Sequence, residues 1–251
     1  MEAVRINKYL SESGICSRRE ADRLIEAGLV LVNGEKAEPG MKVCGSERIE
    51  IEGRTISGPA AGQRPEPVIL AFNKPRGLVC TSSDKDKAPN VIDYINYGSH
   101  IFTIGRLDKD SEGLILLTNY GELVNRINKK QFDHEKQYLV EVNRPLTEEF
   151  IRSMSEGVSI EVPLRNSHQL KRVKTQPCSV KRVDERHFEI ILKEGMNRQI
   201  RRMTEELGFK VRRLKRVRIM NIELGGLREG EWRTLEKDEI RSIFDKAGLH
   251  F

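Results

Sequence analysis

The stretch GRLDKDSEGLILLT, residues 105–118, sets the carboxylates Asp108 and Asp110 just ahead of an apolar run. Its Gly, Asp and Ser residues favour a loop, and LILL predicts a buried element that anchors this loop. Glycosidases use two carboxylates about 5 to 10 Å apart on one bond. Neighbours in a tight loop seldom converge in that way, so we expect one working carboxylate, Asp108, and a surface turn residue, Asp110. The pattern alone also fits a turn with no chemical role.

A tyrosine in KQYLVEV, residues 136–142, is a candidate partner for this carboxylate. The alternation of a strand places Tyr138 on one face together with Val140 and Val142. The strand pattern by itself favours a tyrosine that packs in the core, and an aromatic wall beside a substrate is the alternative.

Several arginines come from one predicted helix in GMNRQIRRMTEELG, residues 195–208. Helical spacing joins Ile200 and Met203 in an apolar stripe, which Arg201 and Arg202 flank and from which Arg198 points away. The helix thus presents several guanidinium groups from one short segment, to phosphate groups or to solvent.

The charge of the chain favours a polyanionic partner. The net charge is +6 over 251 residues, and residues 193–218 alone hold ten Lys or Arg against three Glu. So concentrated an excess favours nucleic acid over a membrane or a small molecule. The four cysteines include no C-x-x-C pair, so we expect neither a zinc site nor disulfides. With no signal peptide and no apolar span, the sequence predicts a soluble, cytoplasmic protein.

The order of the patterns divides the chain into two units. Residues 1–56 predict two helices followed by a small sheet, with Ser17 as a helix N-cap and Asn33-Gly34 as a hairpin turn. Residues 57–67, SGPAAGQRPEP, predict a linker. Residues 68–251 mix strands and helices without regular alternation, which predicts an α+β fold with a mixed, mainly antiparallel sheet.

The first unit carries a compact cationic ridge on its second helix, formed by Arg18, Arg19 and Arg23. Spacing alone leaves these as ordinary surface arginines or as an RNA contact. The segment RINKYLSESGICSRREADRLIEAGLVLVNG, however, resembles the αL-type RNA-binding domain found in a ribosomal protein and several RNA-modifying enzymes. This resemblance implies that the three arginines bind structured RNA.

The second unit resembles the catalytic domain of the bacterial ribosomal pseudouridine synthases that carry an N-terminal αL domain. NKPRG, GRLDKDSEGLILLT, KQYLV and EGMNRQIRRM occur in the order and spacing of that family. DHEKQYLVEVNRPLTEEFIRSMSEGV is most similar to the branch that modifies one uridine of large-subunit ribosomal RNA.

The resemblance implies roles for individual residues. Asp108 would be the catalytic carboxylate, Tyr138 would pack against the target base, Arg201 would pair with Asp108, and Arg106 would fill the space of the extruded nucleotide. We expect further RNA contacts from Lys74, Arg198 and Arg202. The reaction needs no cofactor or metal, and we expect a monomer acting on ribosomal RNA, with no membrane partner.

Three other functions stay open at this stage. A non-catalytic RNA-binding or ribosome-assembly protein would explain the αL unit and the basic segment, but would leave Asp108, Tyr138 and Arg201 as a coincidence. A synthase acting on small-subunit RNA or tRNA is a second alternative. An RNA glycosidase, the third, would require another carboxylate to activate water.

Overall fold

A computed structural model describes residues 3–56, 66–80, 88–128, 134–164 and 169–251, apart from the side chain of Asn128. Most of the predicted linker, residues 57–65 of 57–67, lies outside these ranges, so the domain boundaries stay a prediction. In the described part of the chain no helix has both the length and the hydropathy to cross a membrane.

The N-terminal unit has the predicted two helices and small sheet. Its helices are α1 (Ile6–Glu12) and α2 (Arg18–Glu26), and its strands are β1 (Val4–Arg5), β2 (Val30–Val32), β3 (Glu35–Lys36), β4 (Lys42–Val43), β5 (Ile49–Ile51) and β6 (Arg54–Ile56). Strands β3, β2, β5 and β6 form one antiparallel sheet in that order, and β1 pairs with β4.

Local sequence signals explain the boundaries of these elements. The hydroxyl of Ser17 accepts a hydrogen bond from the amide of Glu20 at 3.1 Å, which confirms the predicted N-cap of α2. Asn33 and Gly34 have φ angles of 53° and 88°, as a two-residue hairpin turn between β2 and β3 requires.

The C-terminal unit is built on one mixed sheet, as expected. Its strands are β7 (Ile69–Lys74), β8 (Phe102–Ile104), β9 (Glu112–Thr118), β10 (Lys136–Val142), β13 (Ser179–Arg182), β14 (His187–Leu192), β15 (Val211–Ile219), β16 (Ile222–Glu223) and β17 (Trp232–Thr234). The main order is β13-β14-β10-β15-β9-β7-β17, with β8 beside β9 and β16 beside β15. Every pairing is antiparallel except that of β9 with β15.

Five helices and a separate hairpin complete the described part of this unit. The helices are α3 (Val91–Ile95), α4 (Gly121–Asn128), α5 (Glu148–Glu156), α6 (Gln199–Glu206) and α7 (Lys237–Lys246), and the hairpin joins β11 (Ser159–Pro163) to β12 (Leu170–Lys174). Strands β7 and β9 are buried along their whole length because helices cover both faces: α4 and α7 pack on one side, α3 on the other. The loop before β9 is therefore attached to the most deeply buried part of the sheet.

Gly113 allows β9 to approach β15. A Cβ atom at this position would lie 2.3 Å from the carbonyl oxygen of Arg216 and 2.8 Å from its amide nitrogen. The φ angle of Gly113, 101°, is also one that residues with side chains rarely adopt. A glycine is required here because the parallel pairing of β9 with β15 leaves no space for a side chain.

We expect Gly113→Ala to lower the free energy of unfolding by about 2 kcal/mol or more, since backbone rather than a movable side chain opposes the new methyl group. Gly121→Ala is the matched control, because its Cβ would meet no atom within 4 Å and alanine favours the helix α4. Urea unfolding, followed by the fluorescence of Trp232, the only tryptophan, measures the free energy of unfolding of both variants. Equal stability of the two variants would show that the close approach is not required.

Candidate active site

Asp108 lies in the loop of residues 105–111, which connects β8 to β9. The amide of Ser111 donates to the carbonyl of Asp108 at 3.1 Å, and the amide of Gly77 donates to the carbonyl of Lys109 at 2.7 Å. Leu107 is buried in the core beneath. The loop is thus a closed turn fastened to the NKPRG segment, with the Asp108 side chain about one-third exposed (34%).

Lys74 lies beneath this loop and does not reach the surface. Its side chain is fully buried, and its ammonium donates to the carbonyl oxygens of Pro75 at 3.0 Å and Ser111 at 2.7 Å. Burial lowers the pKa of this lysine. The predicted RNA contact of Lys74 is therefore wrong: it ends a strand buried on both faces, and its side chain ties the NKPRG turn to the start of β9.

Two arginines of the α6 segment hold the loop from the other side. Arg198, whose φ of 51° is left-handed, places two guanidinium nitrogens 3.1 and 3.2 Å from the carboxylate oxygens of Asp110. Arg201 is buried, and one of its nitrogens lies 3.3 Å from the same carboxylate and 3.1 Å from the carbonyl of Asp110. It also reaches the hydroxyl of Ser111 at 3.3 Å.

This arrangement corrects two predictions about the acids of the loop. Arg201 pairs with Asp110 rather than with Asp108, and the arginine nearest the Asp108 carboxylate is Arg198, at 3.5 Å. Asp110 is likewise more than a surface turn residue, because it joins the loop to α6. The physical reason is that the turn directs both carboxylates toward α6. The buried Arg201 then meets Asp110, the carboxylate next to Ser111.

The electrostatics of Asp110 agree with its position between two cations. Partial burial acts to raise the pKa of this carboxyl group, but the hydrogen bonds from Arg198 and the charges of Arg201 and Arg198 outweigh it. The pKa of Asp110 therefore lies below its ordinary value. The ion pairs stabilise the loop at neutral pH, and this stabilisation is lost as acid protonates Asp110.

The loop and α6 border a cavity of about 290 Å³. Four residues predicted for the site line it together: Arg106, Asp108, Tyr138 and Arg198. Tyr138 is partly buried and shares its strand face with Val140 and Val142, as the alternation predicted. It also contacts the core beneath the loop, so it connects the packing of the sheet to the wall of the cavity.

The other predicted residues lie elsewhere. Arg201 supports the loop from behind and does not line the cavity. Arg202 donates to the carbonyl of Glu161 at 2.7 Å and to that of Asn197 at 3.1 Å, which ties α6 to the β11–β12 hairpin. Its contact with RNA stays a prediction.

Among the basic residues of the cavity that the sequence reasoning missed are Lys136, at the start of β10, and Arg216, on β15. Lys136 precedes Tyr138 by two positions, so strand alternation could have placed it on the same face. Arg216 gave no such signal, because it lies within a generally basic segment. Within the described residues, no cluster of His, Cys, Asp and Glu suits a metal ion.

Comparisons with known proteins agree with this fold. Residues 68–206 match the RNA pseudouridylate synthase family, and residues 4–49 match the S4 domain. The chain is 49% identical, over 96% of its length and 79% of the relative's, to the dual-specificity RNA pseudouridine synthase RluF of Escherichia coli strain K12. It is 34% identical to the ribosomal large subunit pseudouridine synthase B of Bacillus subtilis strain 168, over 95% of each chain.

A solved structure shows the same architecture. A crystal structure of a pseudouridylate synthase, 29% identical, superposes with a TM-score of 0.64 over 96% of this chain and 99% of the other. The fold is thus that of an RNA-modifying isomerase. The chain is a member of the RNA pseudouridine synthase family with an N-terminal S4 RNA-binding domain.

The Asp110 clamp yields a prediction about catalysis. Asp110→Asn should lower kcat for pseudouridine formation about 10- to 100-fold, since a shift of roughly 1 Å in Asp108 is enough for such a loss. The free energy of unfolding should fall by about 1 to 3 kcal/mol, because Arg201 stays buried without its carboxylate. Asp238→Asn, which alters a carboxylate 93% exposed on α7, is the control. Equal kcat and stability in the two variants would contradict the clamp.

Proposed function

We propose that this enzyme converts a uridine of large-subunit ribosomal RNA to pseudouridine and that Asp108 is its catalytic carboxylate. The observation that carries the proposal is the placement of Asp108: its carboxylate lines the same cavity as Tyr138 and Arg198, on a loop fixed by both the sheet and α6. The large-subunit substrate is supported by the name of the Bacillus subtilis relative, a ribosomal large subunit pseudouridine synthase.

The uridine must leave its stack before the cavity can receive it, which costs a few kcal/mol. Tyr138 offers the flipped base an aromatic wall that the core holds in place. Arg106 is exposed on the loop two residues before Asp108, where its side chain can enter the space that the nucleotide leaves.

The chemistry then breaks the bond between N1 and C1′ and joins C5 to C1′. Asp108 either attacks C1′ or removes a proton from the ribose, and both routes begin from the carboxylate. Arg198 places a positive charge 3.5 Å from this carboxylate, and Arg201 supports the loop behind it. Atoms are only rearranged within the nucleotide, so the reaction consumes no second substrate.

The ridge on α2 is the proposed site of further RNA binding. Arg18, Arg19 and Arg23 are exposed, and Arg23 also forms an ion pair with Glu20 at 3.0 Å. The S4 domain that contains them supports contacts with the RNA backbone, which add affinity without reading sequence. We also propose that the enzyme acts as a monomer, because one chain supplies all the residues assigned to the site, and that it meets its RNA in the cytoplasm.

A second RNA substrate is supported by one specific observation. The Escherichia coli relative, 49% identical, is named a dual-specificity RNA pseudouridine synthase. A tRNA is the substrate that we propose to test beside ribosomal RNA.

The test is a bacterial strain that lacks the protein and is complemented with either wild type or Asp108→Asn. Pseudouridines of ribosomal RNA and tRNA are mapped by chemical labelling. We expect at least one large-subunit position to be lost in the deletion and restored by wild type but not by Asp108→Asn, because the amide keeps the shape of the side chain without its charge.

Two measurements complete this test. Purified Asp108→Asn should bind the substrate RNA as wild type does, and Asp238→Asn should restore the modification. Restoration by Asp108→Asn would disprove the assignment of the carboxylate, and an unchanged pseudouridine map in the deletion would disprove the proposed function.

A further inference from the structure

Two basic side chains in the cavity, the partly buried Lys136 and the buried Arg216, have no task in the mechanism described above. Lys136 and Tyr138 lie on the same face of β10, and Arg216 is the partner of Tyr138 on β15. Lys136 and Arg216 both line the cavity, and Arg216 is only 3% exposed. The two cations therefore lie beside the proposed aromatic wall.

Among the described residues, carbonyl oxygens and no carboxylate accept the hydrogen bonds of both side chains. The Nε atom of Arg216 donates to the carbonyl of Leu114 at 2.7 Å, and the ammonium of Lys136 donates to that of His134 at 3.0 Å. The Nη2 atom of Arg216 is buried and meets no acceptor among the described residues. A buried guanidinium nitrogen without an acceptor is costly, which indicates that a ligand supplies one.

The surroundings of Lys136 favour a ligand rather than a protein partner. Across the strands, its neighbours are Leu192 and Ile219, which are buried and apolar. Burial and the charge of Arg216 lower the pKa of Lys136 to about 8. An electron-rich group that entered the cavity would relieve both the desolvation and the mutual repulsion of the two cations.

We propose that Lys136 and Arg216 bind the carbonyl oxygens of the flipped uracil and stabilise the negative charge that forms on the base when its bond to C1′ breaks. This inference rests on the proposed function. When the bond breaks, its electron pair stays with the base and is shared by N1, O2 and O4. C5 of the base then donates an electron pair to C1′ and loses its proton, N1 gains a proton, and Asp108 ends as a carboxylate again.

A phosphate oxygen of the RNA could also bind to the two cations. Kinetic measurements distinguish a bound phosphate from a bound uracil. A phosphate carries its charge before the reaction, so its contacts strengthen binding. The uracil acquires its charge only as the bond breaks, so contacts with it lower the barrier and raise kcat.

The variant Lys136→Met removes the charge while keeping the length of the side chain, and replacing a half-buried lysine by methionine should not weaken the fold. We expect a loss of about 100-fold in kcat at saturating RNA with Kd for RNA within about twofold of wild type. Lys215→Met is the matched control, since Lys215 is also partly buried on β15 but does not line the cavity. Unfolding followed by Trp232 fluorescence checks that both variants are folded.

If Lys136→Met bound RNA more weakly, with a smaller salt dependence of that affinity and an unchanged kcat, the two cations would bind a phosphate and the proposal would be overturned. Unchanged kcat and Kd would overturn it as well. In either case activity of the wild type and inactivity of Asp108→Asn would leave the proposed function standing, whereas an inactive wild type would disprove that function itself.

The pH profile gives a readout that a structural role of Lys136 would not change. The charged and titratable groups that line the cavity with Lys136 are Arg106, Asp108, His134, Tyr138, Lys193, Glu194, Arg198 and Arg216. The ammonium is charged below pH of about 8, so kcat/KM of wild type should fall above that pH. This fall should be absent in Lys136→Met and should move to higher pH in Lys136→Arg. An identical fall in Lys136→Met would contradict the proposal.

Discussion

The pairing of one carboxylate with two arginines is the interaction on which the site depends. Asp110 receives Arg198 and Arg201 from a segment about ninety residues further along the chain, as their separations of 88 and 91 positions show. Loops are ordinarily the mobile part of a fold, and a catalytic group on a loop must be held by other elements. Here the ion pairs fix the loop from the side of α6, and the ammonium of Lys74 fixes it from beneath.

The division of labour between the two acids follows from this geometry. Asp110 lies between two guanidinium groups, so its carboxylate forms the ion pairs that hold the loop. Asp108 lines the cavity, and among the described residues its carboxylate has only a longer contact with Arg198, at 3.5 Å, which leaves its oxygens accessible to a substrate. A single tight turn thereby provides one carboxylate for structure and another for chemistry.

Sequence reasoning succeeded where a local signal determines the structure. The N-cap at Ser17, the turn at Asn33-Gly34 and the buried element after GRLDKDSEG follow from nearby residues, and all three are confirmed. The helix α7 was missed although Ile240, Ile243 and Phe244 have helical spacing and are buried.

Contacts between distant segments could not be predicted in the same way. Spacing cannot tell which of two carboxylates, two positions apart, meets a given arginine, and the choice depends on the direction of the turn. Lys74 and Arg216 are buried with hydrogen bonds to carbonyl groups of distant segments, which charge and alternation do not reveal. A basic residue such as Lys74 therefore suggests RNA contact in the sequence although its side chain is fully buried.

A double-mutant cycle on Asp110 and Arg198 tests the central claim most directly. Asp110→Asn, Arg198→Gln and the combined variant are compared in the free energy of unfolding and in kcat. If the pair positions Asp108, the second substitution should lower stability and kcat little once the first is present. The coupling energy should then be about 1 kcal/mol or more, both in the free energy of unfolding and in the activation free energy obtained from kcat. Additive effects in both would show that the pair does not hold the loop and would contradict the account.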